Sequence, residues 1–176
     1  MSAMGTTAPL DPGPPELLRY LASYKVVVCT PCQYAIQPSA ISGHLNDIHH
    51  LHHSRRRPFM QFVSKLDLAS PEIVLKTEIL QFPVPGLSVQ DGLSCDDDGC
   101  RYLCASEKRM KSHWYSVHGR PGQAFVNWRP VPLQTFFRGN LLRYFTRPAP
   151  NLPPNNHYCP LIRATARGFP SSKVAT

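Results

Sequence analysis

The sequence predicts a small α+β protein in which two separated ββα units are joined by a helical, proline-containing spacer and flanked by disordered termini. Two sets of cysteine and histidine residues occur in the same order and with similar spacing, and each set predicts one unit. Short apolar runs beside these sets predict strands, and periodic segments predict helices. The 19 prolines among 176 residues limit regular structure elsewhere.

The first unit is predicted to span residues 16–58, after a tail of small, polar and proline-rich residues at 1–15. Order is expected to begin near Glu16, with Leu17, Leu18 and Leu21 on one face of a short helix. The β-branched run Lys25–Val28 predicts a strand that leads directly into a cysteine pair.

A helix is predicted from Ser39 to about His53, with Pro58 as its limit. The spacer, residues 59–94, begins with further apolar residues at helical spacing, and Ser70 followed by Pro71 predicts the start of another helix. The Pro83–Gly86 segment then predicts an extended, turning connection.

The second unit, residues 95–120, has the clearest helix signals. Ser106 can cap a helix that runs to Val117, and Gly119 supplies a stop signal. Residues 121–147 mix aromatic and arginine side chains, which predicts short strands or turns that cap the fold. Residues 148–176 are again rich in proline and serine, and we expect a disordered C-terminal tail.

Composition and motifs exclude several classes of protein. The longest apolar runs are far shorter than a membrane helix requires, and the N-terminus lacks the basic and apolar regions of a signal peptide. We therefore expect an intracellular, non-secreted chain without membrane contact, in which six cysteines beside eight histidines indicate metal binding rather than disulfides. No phosphate loop, nucleophile elbow or His-Glu-x-x-His motif is present, so neither an enzyme nor a small-molecule substrate is expected.

The two residue sets have the spacing of structural zinc sites. Cys29 and Cys32 are separated by two residues, and His44 follows after eleven and His49 after four more. The corresponding intervals in the second set, which consists of Cys95, Cys100, His113 and His118, are four, twelve and four. Two thiolates from a tight turn and two imidazoles from one helix complete a zinc tetrahedron. The sequence therefore predicts two structural Zn²⁺ ions in C2H2-type fingers.

Each set also carries the two apolar residues that form the small core of a finger. These are Ile36 and Ile41 in the first set, and Cys104 and Met110 in the second. Cys104 could instead enter the second site, but its position is typical of a buried core thiol.

Two alternatives concern the first set. Cys29 and Cys32 after a strand also resemble a thioredoxin-type redox pair, although the βαβ context of that motif is missing. His50, His52 or His53 could replace His49 as the fourth ligand; His49 is preferred because it gives the commonest spacing.

The formal net charge is 19 − 11 = +8, which favours contact with phosphate. In groove-binding fingers, helix positions −1, 3 and 6 face the bases. The first finger offers Gln37, Ala40 and Gly43 at these positions, and two of these cannot read a base. In the second finger the candidate nucleic-acid contacts are Ser106, Lys108, Arg109, Lys111 and Ser112.

These residues predict a nuclear module that binds duplex DNA, with RNA not excluded, and the run Arg55–Arg57 could support nuclear import. The alternative is a zinc-stabilised protein–protein interaction module without nucleic-acid binding. In that case the spacer helices and the aromatic segment, including Trp128, Phe136 and Phe137, would contact a protein partner.

Residues 24–145 resemble the fungal OrsD-like family, named for a protein of the orsellinic acid biosynthetic cluster. The resemblance rests on the first cysteine pair with His44, the Pro83–Leu87 and Asp91–Cys95 segments, the second finger from Cys100 to Gly119, and the Trp128–Val131 and Gln134–Phe137 segments. It implies a fungal protein with paired Cys2His2-like fingers, and relatives that carry this module in front of longer regions, some of mobile-element origin. The predicted nucleic-acid-binding module is accordingly transcription-related or mobile-element-derived. One departure is Leu133, where the family pattern predicts a cysteine.

Overall fold

The computed structural model describes residues 13–119, 121, 123–124 and 126–147. The tails predicted as disordered lie largely outside these residues, at 1–12 and 148–176. Gly13 and the short helix α1 (Pro14–Leu17) open the described chain, so the boundary predicted at residue 15 falls inside α1. The fold is α+β, as predicted, with two antiparallel sheets of three and four strands. None of the helices in the described ranges is long and apolar enough to cross a membrane.

The first sheet contains β1 (Leu18–Leu21), β2 (Val26–Cys29) and β3 (Tyr34–Ile36), in that spatial order. The predicted strand β2 is confirmed, but the predicted helix through Leu17, Leu18 and Leu21 is wrong. Leu18–Leu21 is a strand that pairs with all of β2 in antiparallel register. A short apolar run fits a helix or a buried strand equally well, and the available edge of β2 decides in favour of the strand.

The helix predicted from Ser39 to about His53 is wrong in its extent. A 3-10 turn (Pro38–Ala40) leads into α2 (Ile41–Asp47), and a separate helix, α3 (His53–Val63), follows. His50 has a φ of 53°, which interrupts a right-handed helix.

The prediction that Pro58 limits a helix is wrong, because Pro58 lies inside α3. A proline in a helix interior removes a backbone hydrogen bond. Burial of Phe59 and Val63 against the core beneath α3 offsets this cost. The helix predicted after Ser70 is confirmed as the single turn α4 (Pro71–Val74), with Pro71 in its first turn.

The second sheet has the order β5-β4-β6-β7, formed by β4 (Gln90–Cys95), β5 (Leu103–Cys104), β6 (Trp128–Thr135) and β7 (Tyr144–Phe145). Between β5 and β6 lies α5 (Glu107–His118). The predicted caps of α5 are confirmed: Ser106 accepts a hydrogen bond from the Arg109 N–H, and Gly119 has a φ of 68°. The strands predicted between residues 121 and 147 are also confirmed.

Strand β6 connects the two halves of the molecule. It pairs with β4 from Gln90 opposite Leu133 to Cys95 opposite Trp128. Gly92 is required at this crossing, since a Cβ there would overlap the buried Leu133 side chain. Just beyond β6, the carbonyl oxygen of Phe136 accepts a 2.7 Å hydrogen bond from the Ala35 N–H of the first sheet.

A shared core surrounds this connection. Phe136 and Phe137 pack into one buried cluster with residues of the first sheet and of the spacer, namely Tyr24, Val26, Val28, Ala35, Val74, Val84 and Leu87. The two cysteine and histidine sets therefore belong to one packed structure, although more than 40 residues separate His49 from Cys95 along the chain.

Candidate metal centres

The first candidate metal centre lies where the β2–β3 turn meets α2. Cys29 ends β2, Cys32 lies in the turn, His44 lies on α2, and His49 follows just after that helix. The ligand atoms of these four residues lie within 4.8 Å of one another. His49 Nε2 is 3.1 Å from Cys29 Sγ and 3.2 Å from His44 Nε2.

The second candidate centre has the same arrangement. Cys95 ends β4, Cys100 lies in the loop before β5, and His113 and His118 both lie on α5. Their ligand atoms also lie within 4.8 Å of one another. His113 Nε2 is 3.2 Å from Cys100 Sγ and 3.3 Å from His118 Nε2, and His118 Nε2 is 3.5 Å from Cys95 Sγ.

Both donor sets fit a tetrahedral zinc ion. With Zn–N near 2.05 Å and Zn–S near 2.3 Å, two nitrogens would be separated by about 3.3 Å and a nitrogen and a sulfur by about 3.6 Å. The nitrogen–nitrogen distances here are 3.2 and 3.3 Å. The nitrogen–sulfur distances range from 3.1 to 3.6 Å. Each set could therefore hold one metal ion, with two soft sulfurs and two imidazoles as donors.

The geometry bears on both alternatives for the first centre, the choice of the fourth ligand and the redox pair. His50, His52 and His53 are exposed, whereas the side chain of His49 points among the two thiols and His44. Cys29 ends β2 and Cys32 lies in the turn to the antiparallel strand β3, so the βαβ context that a redox pair requires is absent around them.

The core residues predicted for the two fingers are buried. Ile36 and Ile41 are 5% and 0% exposed, and Cys104 and Met110 are 1% and 0% exposed. Cys104 lies outside the ligand cluster, and its Sγ faces the carbonyl oxygen of Ser106 at 3.3 Å. It is a core thiol, as its position in the sequence indicates.

The imidazoles have partners on the side away from the thiols. His44 Nδ1 lies 3.2 Å from the Tyr34 hydroxyl, and His118 Nδ1 lies 3.0 Å from Asp97 Oδ2. The ring of Tyr102 stacks on His113 with centroids 4.0 Å apart. No sequence pattern predicted these contacts. Within the Asp96–Asp98 run, Asp96 contacts Arg129 at 3.1 Å and Asp97 contacts His118.

The protonation states that burial favours promote metal binding at the imidazoles and oppose it at the thiols. Burial lowers the pKa values of His44, His49 and His113, so that their rings are neutral at pH 7 and can offer a lone pair. Burial also raises the pKa of Cys29 to about 12, and that of Cys95 likewise to about 12. Metal binding must therefore displace a proton from each of these thiols.

Zinc affinity should consequently rise with pH. Each centre is expected to release at least one proton on binding, which makes its affinity increase about tenfold per pH unit for each proton released. Calorimetric titration of zinc into metal-free protein, in buffers of different ionisation enthalpy, measures the number of protons directly. A binding enthalpy that does not depend on the buffer would contradict this expectation.

The predicted nucleic-acid contacts all lie at or near the start of α5 and are exposed: Ser106, Lys108, Arg109, Lys111 and Ser112. Two of them already contact groups of α5 itself. The Ser106 hydroxyl caps the helix, and Lys111 Nζ forms a 2.9 Å ion pair with Glu107 Oε1. The described part of the chain thus presents three basic side chains on one solvent-facing helix beside the second centre.

The aromatic residues expected to contact a protein partner are not available for that role. Trp128, Phe136 and Phe137 are only 1%, 2% and 2% exposed. This detail of the sequence prediction is wrong, because Phe136 and Phe137 lie in the core shared with the first sheet and the spacer, and Trp128 lies in the core beside the second centre. Their spacing in the sequence did not distinguish a core from a surface cluster.

Residues 16–119 match the family described as Orsellinic acid/F9775 biosynthesis cluster protein D. A protein of that description from Emericella nidulans is 42% identical to this chain over 137 residues. The aligned region covers 78% of this chain and 27% of that relative, so the chain spans about a quarter of the relative's length. No solved structure matches the chain at a significant level. The matched region contains all eight residues of the two candidate centres.

Proposed function

This chain belongs to the Orsellinic acid/F9775 biosynthesis cluster protein D family, and we propose that it is a nuclear zinc-binding protein that contacts nucleic acid through α5. The match to this family confirms the resemblance that was inferred from the sequence. The name of the family does not specify a molecular activity, so the proposal is based on the two metal centres and on the surface beside them. In a transcription-related or mobile-element-derived protein, the exposed face of α5 would contact the nucleic acid.

The proposal includes two structural Zn²⁺ ions held by C2H2-type ββα fingers. This assignment is supported by the same arrangement at both centres. An antiparallel strand pair presents two thiols, and the following helical segment supplies two imidazoles. The ligands of one ion would be Cys29, Cys32, His44 and His49. Those of the other would be Cys95, Cys100, His113 and His118. Four protein ligands complete a zinc tetrahedron and leave no position for a substrate, which is typical of a structural rather than a catalytic ion.

The observation that carries the nucleic-acid proposal is the exposed basic surface of α5. Lys108, Arg109 and Lys111 are exposed within one helical turn, and Glu107 is the only acidic residue of α5. A net charge of +8 adds long-range attraction to phosphates. Arg109 occupies the helix position that faces bases in groove-binding fingers, and arginine there is suited to guanine. Duplex DNA is the proposed ligand, and duplex RNA is the comparison in the test.

The test is binding of the zinc-loaded chain to duplex DNA, duplex RNA and single strands across a salt series. Arg109→Ala should weaken duplex binding about tenfold, and Lys111→Ala should weaken it and reduce the slope of log affinity against log salt by about 1. Lys76→Ala is a matched control, since Lys76 is exposed on the spacer. Equal binding by all three variants would overturn the proposal.

A protein-interaction role is the second candidate, and the spacer favours it. Ile73 and Leu80 are 61% and 69% exposed, so two large apolar side chains of the spacer are accessible to a partner. Replacing both with serine should abolish capture of a protein partner and leave nucleic-acid binding unchanged. Loss of partner binding only in Arg109→Ala would instead assign that role to α5.

A further inference from the structure

His118 is held on both sides of its ring. Its Nε2 faces the second centre, 3.5 Å from Cys95 Sγ and 3.3 Å from His113 Nε2. Its Nδ1 faces the Asp97 carboxylate at 3.0 Å. A neutral imidazole carries a single N–H, so a proton on Nδ1 that is donated to Asp97 leaves the Nε2 lone pair directed at the metal position. The side chain of His118 is only 10% exposed.

Asp97 belongs to the same loop that presents the two thiols. The loop between Cys95 and Cys100 contains four residues, and the Cys100 N–H donates to the Asp97 carbonyl oxygen at 3.0 Å. The corresponding loop of the first centre has only two residues, Thr30 and Pro31, neither of which carries a carboxylate. The longer second loop therefore adds an acidic side chain at the outer edge of its centre.

In the first centre, the histidine nitrogen that points away from the thiols faces a neutral group rather than a carboxylate. His44 Nδ1 faces the Tyr34 hydroxyl of β3 at 3.2 Å. A phenol is a neutral acceptor, whereas hydrogen bonds to an ionised carboxylate are roughly twice as strong as neutral ones. Partners of this kind hold a ligating imidazole in one orientation and increase its basicity, and their loss typically costs about 10-fold to 100-fold in metal affinity.

We propose that Asp97 is a positioning residue of the second centre: it accepts the Nδ1–H of His118, fixes that ring with Nε2 toward the thiols, and thereby sets the metal affinity of this centre. This inference rests on the proposed zinc-binding function. It also predicts an asymmetry, because Tyr34 should contribute less to the first centre than Asp97 contributes to the second.

The two tryptophans of the chain make the second centre separately measurable. Trp114 and Trp128 are each 1% exposed, and both belong to the core beside Cys95. Tryptophan fluorescence during a chelator titration of the full zinc-loaded chain therefore reports loss of the ion from the second centre. Long-range ¹H–¹⁵N spectra of the histidine rings report independently whether His118 carries its proton on Nδ1.

The test compares Asp97→Ala with Asp98→Ala, which removes the same charge from the neighbouring exposed position. We expect Asp97→Ala to lower the zinc affinity of the second centre about 10-fold to 100-fold and to shift the His118 Nδ1 signal. Asp98→Ala should change neither. Asp97→Asn keeps an acceptor without the charge and should give an intermediate loss, and Tyr34→Phe should weaken total zinc binding less than Asp97→Ala does.

Equal affinities for Asp97→Ala and Asp98→Ala would overturn the inference while leaving the proposed zinc function intact. An unchanged His118 Nδ1 signal in Asp97→Ala would overturn it as well. A wild-type chain that binds no zinc would instead overturn the proposed function itself, so the two failures are distinguishable.

Discussion

Removing zinc with a strong chelator is expected to unfold both centres, with the largest effect around α5. Among the residues that the structure describes, the buried core beside the second centre has five members, and two of them are Cys95, a proposed ligand, and Cys104. A structural zinc ion contributes an apparent binding free energy of about 10–16 kcal/mol in finger peptides, while whole domains are stable by about 5–15 kcal/mol. The residual core is too small to replace the contribution of the ion.

Two signals should change together in this experiment. The emission of Trp114 and Trp128 should shift to the red as both side chains become hydrated, since each is only 1% exposed in the fold. Circular dichroism should show loss of the 12-residue helix α5. Zinc added in excess of the chelator should restore both signals, and magnesium should not, because magnesium prefers oxygen ligands. Unchanged emission and helicity after zinc has been released would contradict the expectation.

The first centre is embedded in a larger apolar core, but its ligands impose a cost of their own. Cys29 is 0% exposed and His44 is 9% exposed. Without an ion these polar groups remain packed against one another and away from water, which is unfavourable. We therefore expect the turn that carries Cys32 and the segment that carries His49 to lose their order as well. Amide exchange of these two segments, with and without chelator, measures this effect.

The candidate ligands could be predicted because their spacing is set by local geometry. A tight turn and one helical segment determine the separations within each cysteine pair and each histidine pair, so no long-range information is needed. The same holds for α5, whose limits at Ser106 and Gly119 are determined by capping side-chain and backbone conformation. Ile36, Ile41 and Met110 could be assigned to the cores for the same reason.

The remaining features depend on contacts between distant segments. Leu18–Leu21 becomes a strand because β2 is available beside it, and β6 pairs with β4 across the intervening finger. Burial of Phe136 and Phe137 follows from the docking of that segment on the first sheet. Asp97 is close to His118 only once the loop and α5 are folded together. None of these pairings leaves a periodic signal in the sequence.

Replacing Gln134 with leucine is expected to be strongly destabilising, although Gln134 lies outside the metal centres. Gln134 is 0% exposed at the end of β6 and accepts a 2.7 Å hydrogen bond from the Val84 N–H. Its Nε2 donates to the carbonyl oxygens of Val84 and Leu87 at 3.1 and 2.8 Å. One amide thus satisfies three buried backbone groups of the Pro83–Leu87 segment and joins the spacer to β6.

Leucine has nearly the same volume but leaves the Val84 N–H and the Leu87 carbonyl oxygen buried without this partner, and the Val84 carbonyl oxygen keeps only its 3.3 Å hydrogen bond from the Leu87 N–H. Each of the two groups left without a partner costs about 1–3 kcal/mol, so a loss of about 2–6 kcal/mol in the free energy of unfolding is expected. Urea denaturation of the zinc-loaded protein measures this loss. Gln90→Leu is the matched control, since Gln90 lies exposed at the start of the neighbouring strand and should change stability little.

A third variant separates lost hydrogen bonds from altered packing. Gln134→Glu keeps the shape of the side chain and can still accept from the Val84 N–H, but an ionised carboxylate cannot donate to the two carbonyl oxygens. It should be at least as destabilising as leucine at pH 7, and lowering the pH toward protonation of the carboxylate should recover part of the loss. Equal stability of wild type, Gln134→Leu and Gln134→Glu would show that the Pro83–Leu87 segment is held by its apolar contacts alone. In that case Val84 and Leu87, which are 1% and 6% exposed, would carry the connection between the two halves.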